Sequence, residues 1–182
     1  MESDAFLSRQ EVVCPSFLLR RAAGKGPVVT AIVGAEHPVV LDSARQAQVA
    51  GIITPVLIGN QSKIEDEAQG VGWDVSGFEI VDASGEASAA QAGAELAFSG
   101  AVAMVMKGHV HSDTFMRPLL AKEGGIRGLG RLSHVFHMTI PDSEKSIMLT
   151  DCALNMAPNI RTRIAIVENV VTLAHKLGNA EP

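Results

Sequence analysis

The feature that most constrains the fold is a repeated alternation between short apolar runs and helix-like segments. Four runs, VVTAIVG, TPVLIG, FEIVDA and AVAMVMKG, have the composition of buried strands. The segments between them, PVVLDSARQAQVAG, SKIEDEAQG and EASAAQAGAELAFSG, have helical character and end at glycines. Continuous apolar strands separated by helices are typical of a parallel sheet covered on both faces. The predicted class is therefore α/β, with a mostly parallel, doubly wound sheet.

The pattern changes after Gly125, where two further strands are predicted. The stretches GLGRLSHVFHMTIP and KSIMLTDCALNMAP are joined by the turn-forming segment PDSEK, which predicts a hairpin added to the parallel sheet. A last helix is predicted from Ile160 to Leu177. We predict a leader over residues 1–26, an incomplete first domain over 27–157, and a helix over 158–182 that leads into a second domain largely absent from the chain.

Composition argues against several classes of partner. The formal net charge is -5, so the chain lacks the basic surface that nucleic acids require. Its apolar runs are shorter than the ~20 residues that span a bilayer. The two cysteines, Cys14 and Cys152, lie far apart without CxxC spacing, which is typical of free thiols in a reducing compartment. We therefore expect a cytoplasmic protein with neither nucleic acid nor membrane as a partner.

The stretch VMKGHVHSDTFMRP concentrates polar groups just after the fourth strand. Lys107 and Gly108 close that strand, and HSDT is rich in residues that begin helices. A strand-to-helix turn offers free backbone N–H groups and the positive end of a helix dipole, which together suit an anion. Lys107 and Arg117 could both face it. The alternative is that Ser112 or Asp113 only caps the helix and Arg117 is an ordinary surface residue.

Two more polar clusters flank the predicted hairpin. Strand periodicity places Arg131 and Ser133 on one face and His134 on the other, so adjacent Ser133 and His134 do not form a nucleophile–base pair. Asp151 and Asn155 follow an apolar strand, where they could bind a ligand or brace the loop by Asx-type hydrogen bonds. Three polar clusters at strand ends on one side of a sheet would together form a site.

These segments resemble a known family. MKGHVHSDTFMRPLL, GRLSHV and TDCALNMAPN, in this order, are similar to motifs of the phosphate acetyltransferase and phosphate butyryltransferase family, and the resemblance covers Pro27 to Pro182. It implies the reaction acyl-CoA + phosphate ⇌ acyl phosphate + CoA, by direct attack of the CoA thiolate on the acyl phosphate. It also implies a fold like that of isocitrate and isopropylmalate dehydrogenases, and a homodimer at full length. Coenzyme A would be a substrate rather than a bound cofactor, and no metal would take part.

The resemblance also implies roles for individual residues. Arg117 would bind phosphate, while Arg131 and Ser133 would approach the acyl phosphate or coenzyme A, and we assign these three to catalysis. The residues expected to bind phosphate or substrate are Lys107, Gly108, His111, Ser112, Thr114, Asp151 and Asn155. His109 and His111 lie two residues apart in a turn, and their spacing gives little support to a metal site. No metal ligand is therefore predicted.

Two other functions remain compatible with these residues. The chain could be a non-catalytic module that binds coenzyme A or an anion, because the family's later segment, which carries a Ser–Arg pair and an aspartate near the thiol, has no counterpart in this sequence. It could also belong to an acyl carrier protein:phosphate acyltransferase, although GRLSHV and TDCALN resemble that enzyme less. The sequence does not determine the length of the acyl chain or the general base.

Overall fold

The structure is a computed structural model that describes residues 15–122, 125, 130–140 and 145–182. The chain divides into two compact units. We call Lys25–Leu129 the sheet unit, and Gly130–Pro182 with the segment up to Gly24 the hairpin unit. The domain limits predicted from the sequence remain a prediction. The hairpin and the C-terminal helix belong to the same unit, because they pack against each other.

The observed elements follow the predicted order. The helices are α1 (Ser16–Ala22), α2 (Pro38–Val49), α3 (Gln61–Gly70), α4 (Glu86–Ser99), α5 (Ser112–Leu119) and α6 (Ile160–Lys176). The strands are β1 (Val28–Val33), β2 (Ile53–Gly59), β3 (Glu79–Asp82), β4 (Met104–Lys107), β5 (Val135–Thr139) and β6 (Ser146–Thr150). None of the helices in the described part of the chain is long and apolar enough to cross a membrane.

The sheet unit contains a four-stranded sheet in the order β3-β2-β1-β4, with every pair parallel. Alternate strand residues enter two separate cores. Val33 and Ile58 pack with α4 and α5 on one face, whereas Ile32 and Leu57 pack with α2 and α3 on the other. Because both faces are buried, β1 and β2 need no polar side of their own, which explains their continuous apolar sequences. The α/β class with a parallel sheet is confirmed.

The strands β2 and β3 are added on one side of β1, whereas β4 lies on its other side, so the order of the strands reverses between β1 and β4. The backbone segments that follow β1 and β4 meet at this point. Gly108 N–H donates to the Val33 carbonyl at 2.8 Å, and His109 N–H donates to the Gly34 carbonyl at 2.9 Å. A Cβ on Gly108 would lie 2.6 Å from the Gly34 carbonyl oxygen and 2.7 Å from that of Val33. Only glycine allows this approach. In open α/β sheets, ligands bind beyond the strand ends at such a reversal.

The hairpin unit contains the antiparallel pair β5–β6, with Val135 opposite Thr150 and Thr139 opposite Ser146. The predicted hairpin is confirmed. We expected it to join the parallel sheet, but among the described residues β5 and β6 pair only with each other and form a separate two-stranded sheet. The unit also includes α6, which begins after Asn159, whose side-chain oxygen accepts a hydrogen bond from Thr162 N–H at 3.0 Å.

Candidate functional site

The first polar cluster lies at the carboxyl edge of the sheet, as the sequence predicts. Lys107 is the last residue of β4, and Gly108 begins the loop that leads to α5. The ammonium group of Lys107 lies 3.4 Å from the Gly108 carbonyl oxygen and remains exposed. The cation and the tight turn therefore occupy the edge where parallel sheets bind ligands.

His111 is held by a carboxylate that the sequence does not suggest as its partner. Glu86 accepts a hydrogen bond from His111 N–H at 2.7 Å and contacts His111 Nδ1 at 2.8 Å. The backbone hydrogen bond from His111, followed by its ring contact, lowers the pKa of Glu86. The contact with the carboxylate in turn raises the pKa of His111. His111, which we expected in an anion pocket, is therefore an exposed ring paired with a carboxylate that favours its protonated form.

Two further histidines, His37 and His109, follow β1 and β4 in the chain, and their rings contact each other. The rings of His37 and His109 stack with their centroids 4.7 Å apart and their planes 20° apart. His37 Nδ1 accepts a hydrogen bond from Val39 N–H at 3.2 Å and so caps α2. His109 therefore has a stacking role in the sheet unit. In the described part of the chain, no group of three or more His, Cys, Asp or Glu side chains could hold a metal ion.

Helix α5 presents the remaining residues of the first cluster. His111 is the N-cap residue, its side chain makes no capping bond, and Ser112 is the first helical residue. Arg117 Nη2 lies 3.7 Å from Asp113 Oδ2, and these side chains are 81% and 75% exposed. Thr114 is on the same side of the helix as Arg117, about 60° away, whereas Ser112 is about 140° away. The helix does not align Ser112 and Arg117 along one stripe.

The second and third clusters come together at the open end of the hairpin. The expectation that all three clusters follow strands of one sheet is wrong for these two, because they flank β5 and β6. Antiparallel pairing places the start of β5 beside the end of β6. Asp151 Oδ1 therefore accepts a hydrogen bond from His134 N–H at 3.1 Å. The same oxygen accepts from the N–H groups of Ala153 and Leu154 at 3.3 and 3.2 Å.

Asp151 and Asn155 have a clear structural role here. Asn155 Nδ2 donates both to Asp151 Oδ2 and to the Leu132 carbonyl, the latter at 2.9 Å. Partial burial of Asp151 raises its pKa, but hydrogen bonds from Asn155 and from the backbone lower the pKa to about 2. Of the two alternatives that the sequence leaves open for this pair, the observed contacts are those of the loop brace. The pair connects both sides of the open end.

Arg131 and Ser133 are attached to α6. Arg131 Nη2 donates to Thr162 Oγ1 at 3.3 Å. Asn169 Nδ2 donates to the Arg131 carbonyl at 2.8 Å and to Ser133 Oγ at 2.9 Å. The side chains of Arg131 and Ser133 therefore face the same helix, although both residues precede β5 and are not part of the strand in which the sequence predicts them. The structure thus brings Arg131, Ser133, Asp151 and Asn155 together in the hairpin unit.

Comparison with known proteins identifies the family. The sequence profile of the family described as "Phosphate acetyl/butaryl transferase" matches residues 86–182 of the chain. The chain belongs to this family. Every residue that we predicted for the site lies within the matched range, and so do Glu86, Thr162 and Asn169.

Curated relatives of the phosphate acetyl/butyryl transferase family are similar to most of the chain. The phosphate acetyltransferase of Rickettsia prowazekii is 37% identical over 162 residues, which are 87% of this chain and 45% of that protein. The phosphate butyryltransferase of Clostridium acetobutylicum is 34% identical over 165 residues, which are 91% of this chain and 55% of that protein. The chain therefore spans about half the length of these curated relatives.

Solved structures give the same fold. A branched-chain phosphotransacylase from Enterococcus faecalis superimposes with a TM-score of 0.69 at 29% identity, covering 83% of this chain and 52% of that one. The EutD phosphotransacetylase of Staphylococcus aureus gives a TM-score of 0.72 at 22% identity, covering 90% and 57%. The second likeness shows the fold alone.

Sequence reasoning missed three residues that form hydrogen bonds with predicted site residues. Glu86 begins α4 and binds His111, while Thr162 and Asn169 lie on α6 and bind Arg131 and Ser133. For Glu86, the available signal was an acidic residue in the first turn of a helix. For Thr162 and Asn169, it was two polar residues seven positions apart in a helix with an apolar stripe.

Proposed function

We propose that the protein to which this chain belongs is a phosphate acyltransferase that transfers an acetyl or butyryl group between coenzyme A and inorganic phosphate. The observation that carries this proposal is the match of residues 86–182 to the family, because this segment includes all three polar clusters. The partners would be acyl-CoA, inorganic phosphate and acyl phosphate. We further propose a cytoplasmic location and a homodimer at full length.

The reaction needs groups that stabilise negative charge. In one direction, the coenzyme A thiolate attacks the carbonyl carbon of acyl phosphate, a C–S bond forms, the C–O bond to phosphate breaks, and phosphate leaves. In the transition state, charge develops on the carbonyl oxygen and on the departing phosphate. Fixed donors and cations in a partly dry site stabilise such charge, by roughly 3–4 kcal/mol for a well-placed donor.

The sheet unit supplies cations suited to the phosphate. Lys107 and Arg117 are exposed at the carboxyl edge of the sheet and on α5. A guanidinium can bind two phosphate oxygens at once, whereas an ammonium acts as a point charge. The Arg117 ion pair with Asp113 is exposed and long, at 3.7 Å. A phosphate group that binds Arg117 would therefore break only a weak ion pair, which contributes little free energy.

The hairpin unit supplies donors suited to the acyl group or to coenzyme A. Arg131 offers a guanidinium, and Ser133 offers a hydroxyl, on a segment held by hydrogen bonds at both ends. Asp151 and Asn155 would act by keeping the open end of the hairpin in shape. Substrate contact by Asp151 and Asn155, which the sequence predicts, remains a prediction, as do the contacts of Gly108, His111, Ser112 and Thr114.

The experiment measures coenzyme A-dependent formation of acyl phosphate by the full-length protein, with acetyl-CoA and butyryl-CoA as donors. We expect Arg117→Ala to lower kcat/KM by on the order of 100-fold. Arg45→Ala is the matched control, because Arg45 is also an arginine in an ion pair with an aspartate of its own helix, at 2.6 Å from Asp42. It should leave kcat/KM unchanged. Equal effects of the two variants would refute the assignment of Arg117.

The same assay separates the two other functions. Turnover with acyl carrier protein as the acyl donor, and not with acyl-CoA, would indicate the enzyme that acts on the carrier protein. Binding of coenzyme A or phosphate by calorimetry without any turnover would indicate a binding module. Turnover with acyl-CoA and phosphate supports the proposed reaction.

A further inference from the structure

We propose that Asn169 is a positioning residue that fixes the Ser133 hydroxyl as a hydrogen-bond donor to the substrate. This inference rests on the proposed phosphate acyltransferase function and goes beyond it by assigning a role to a helix residue. Asn169 belongs to α6 and lies outside the three polar clusters. Its side-chain amide reaches two atoms of the segment that contains Arg131 and Ser133.

The orientation of the Asn169 amide follows from its partners. A backbone carbonyl oxygen can only accept hydrogen bonds, so the Asn169 atom that lies 2.8 Å from the Arg131 carbonyl is the nitrogen. That NH₂ group carries two protons. One is donated to the Arg131 carbonyl, and the other points to Ser133 Oγ at 2.9 Å.

This bond determines what the serine hydroxyl can do. A hydroxyl has one proton and two lone pairs. Because Ser133 Oγ accepts from Asn169, its own proton is directed away from the amide and can be donated to another acceptor. The oxygens that gain charge in the proposed reaction, on the carbonyl and on the phosphate, are acceptors of this kind. The Asn169 amide would also polarise the hydroxyl and strengthen the second bond.

The α6 helix holds the segment at two points along a single stripe. Thr162 and Asn169 are seven residues apart, so they lie on nearly the same side of the helix and about 10 Å apart along its axis. Ile166, between them, is 5% exposed, and Thr162 is 8% exposed. The buried Thr162 hydroxyl accepts from the Arg131 guanidinium. The buried part of α6 therefore supports the contact with Arg131, and Asn169, which is exposed, reaches Ser133 from the same side of the helix.

The test compares three variants of the full-length protein in the acyl phosphate assay. We expect Asn169→Ala to lower kcat by about tenfold with little change in KM, because the lost bond acts in the transition state. Asn169→Asp keeps the shape but cannot donate, and its carboxylate would accept the serine proton itself. It should therefore lower kcat at least as much. Thr172→Ala is the control on the same helix, since the Thr172 hydroxyl donates to a carbonyl of α6 itself, that of Glu168, at 2.7 Å.

The decisive measurement is a double-mutant cycle with Ser133→Ala. If Asn169 acts through the serine hydroxyl, adding Asn169→Ala to Ser133→Ala should change kcat by less than about twofold. A further tenfold loss in the Ser133→Ala background would show a purely structural role and overturn the inference. So would full activity of Asn169→Asp. Failure of the proposed function has a different signature, because the wild-type protein would then form no acyl phosphate, and the inference would fail with it.

Discussion

Replacing Asp151 by asparagine should weaken the hairpin unit in a way that depends on pH. Three backbone N–H groups, from His134, Ala153 and Leu154, donate to one carboxylate oxygen, and Asn155 Nδ2 donates to the other. An asparagine can keep one oxygen facing the three N–H groups. Its own NH₂ group then faces the NH₂ group of Asn155, so that bond is lost.

The size of the effect follows from these contacts. A hydrogen bond to a charged group contributes about 1.5–3 kcal/mol, and the three remaining bonds become bonds to a neutral acceptor. Asp151 is partly exposed, so solvent screening reduces the contribution of its charge. We expect a net loss of about 2 kcal/mol at pH 7, which corresponds to about 30-fold in an opening equilibrium.

Amide hydrogen exchange of β5 and β6 is the suitable assay. The single tryptophan, Trp73, lies in the sheet unit, so its fluorescence would report on the wrong part of the chain. The pKa of Asp151 is lowered from 3.8 to about 2 in the folded state. A lowered pKa adds stability above the unfolded value, and this stability is lost as pH falls through the folded value. The difference between wild type and Asp151→Asn should therefore shrink between about pH 4 and pH 2.

Asp74→Asn is the control for this prediction. Asp74 is an exposed carboxylate of the sheet unit, and hydrogen bonds from Ser76 lower its pKa. The Asp74 substitution should leave exchange in β5 and β6 unchanged. Equal protection in wild type and Asp151→Asn at pH 7, or a difference of the same size at pH 7 and pH 2.5, would refute the reasoning.

Two more predictions concern the sheet unit. Glu86→Gln should lower the pKa of His111 toward its ordinary 6.5, because the carboxylate raises it now, and NMR titration of the ring measures this; an unchanged His111 pKa would contradict the ion pair. Gly108→Ala should destabilise the unit by about 1–3 kcal/mol in urea unfolding followed by tryptophan fluorescence, since a Cβ would meet two carbonyl oxygens within 2.7 Å. Gly77→Ala, where a Cβ meets nothing within 4 Å, is its control, and equal effects would exclude a steric cause.

Most of the fold could be predicted because its signals are local. Apolar runs of strand length, helical spacing and terminal glycines determine where β1, β2 and α2 begin and end within a few residues. The N-cap role of Asn159 and the glycine turn after β4 are also local features of this kind. Such features depend on neighbours in the chain, so the sequence contains them directly.

Partners distant in sequence could not be predicted in this way. The contact between Glu86 and His111 joins residues 25 positions apart, and the contact between Asn169 and Ser133 joins residues 36 positions apart. The pairing of β5 with β6 was predicted, but the separation of this hairpin from the parallel sheet depends on non-local partners. An apolar strand pattern indicates that one face of the strand will be buried. It does not indicate which other part of the chain will pack against that face.

The sequence by itself determined the α/β class, the order of the elements and the family, since each rests on local spacing or on motifs read along the chain. Only the tertiary structure decided which polar groups neutralise, brace or orient one another. The physical reason is that the hydrogen bonds of Asp151, His111 and Ser133 depend on atomic distances of about 3 Å, which packing sets and sequence spacing does not.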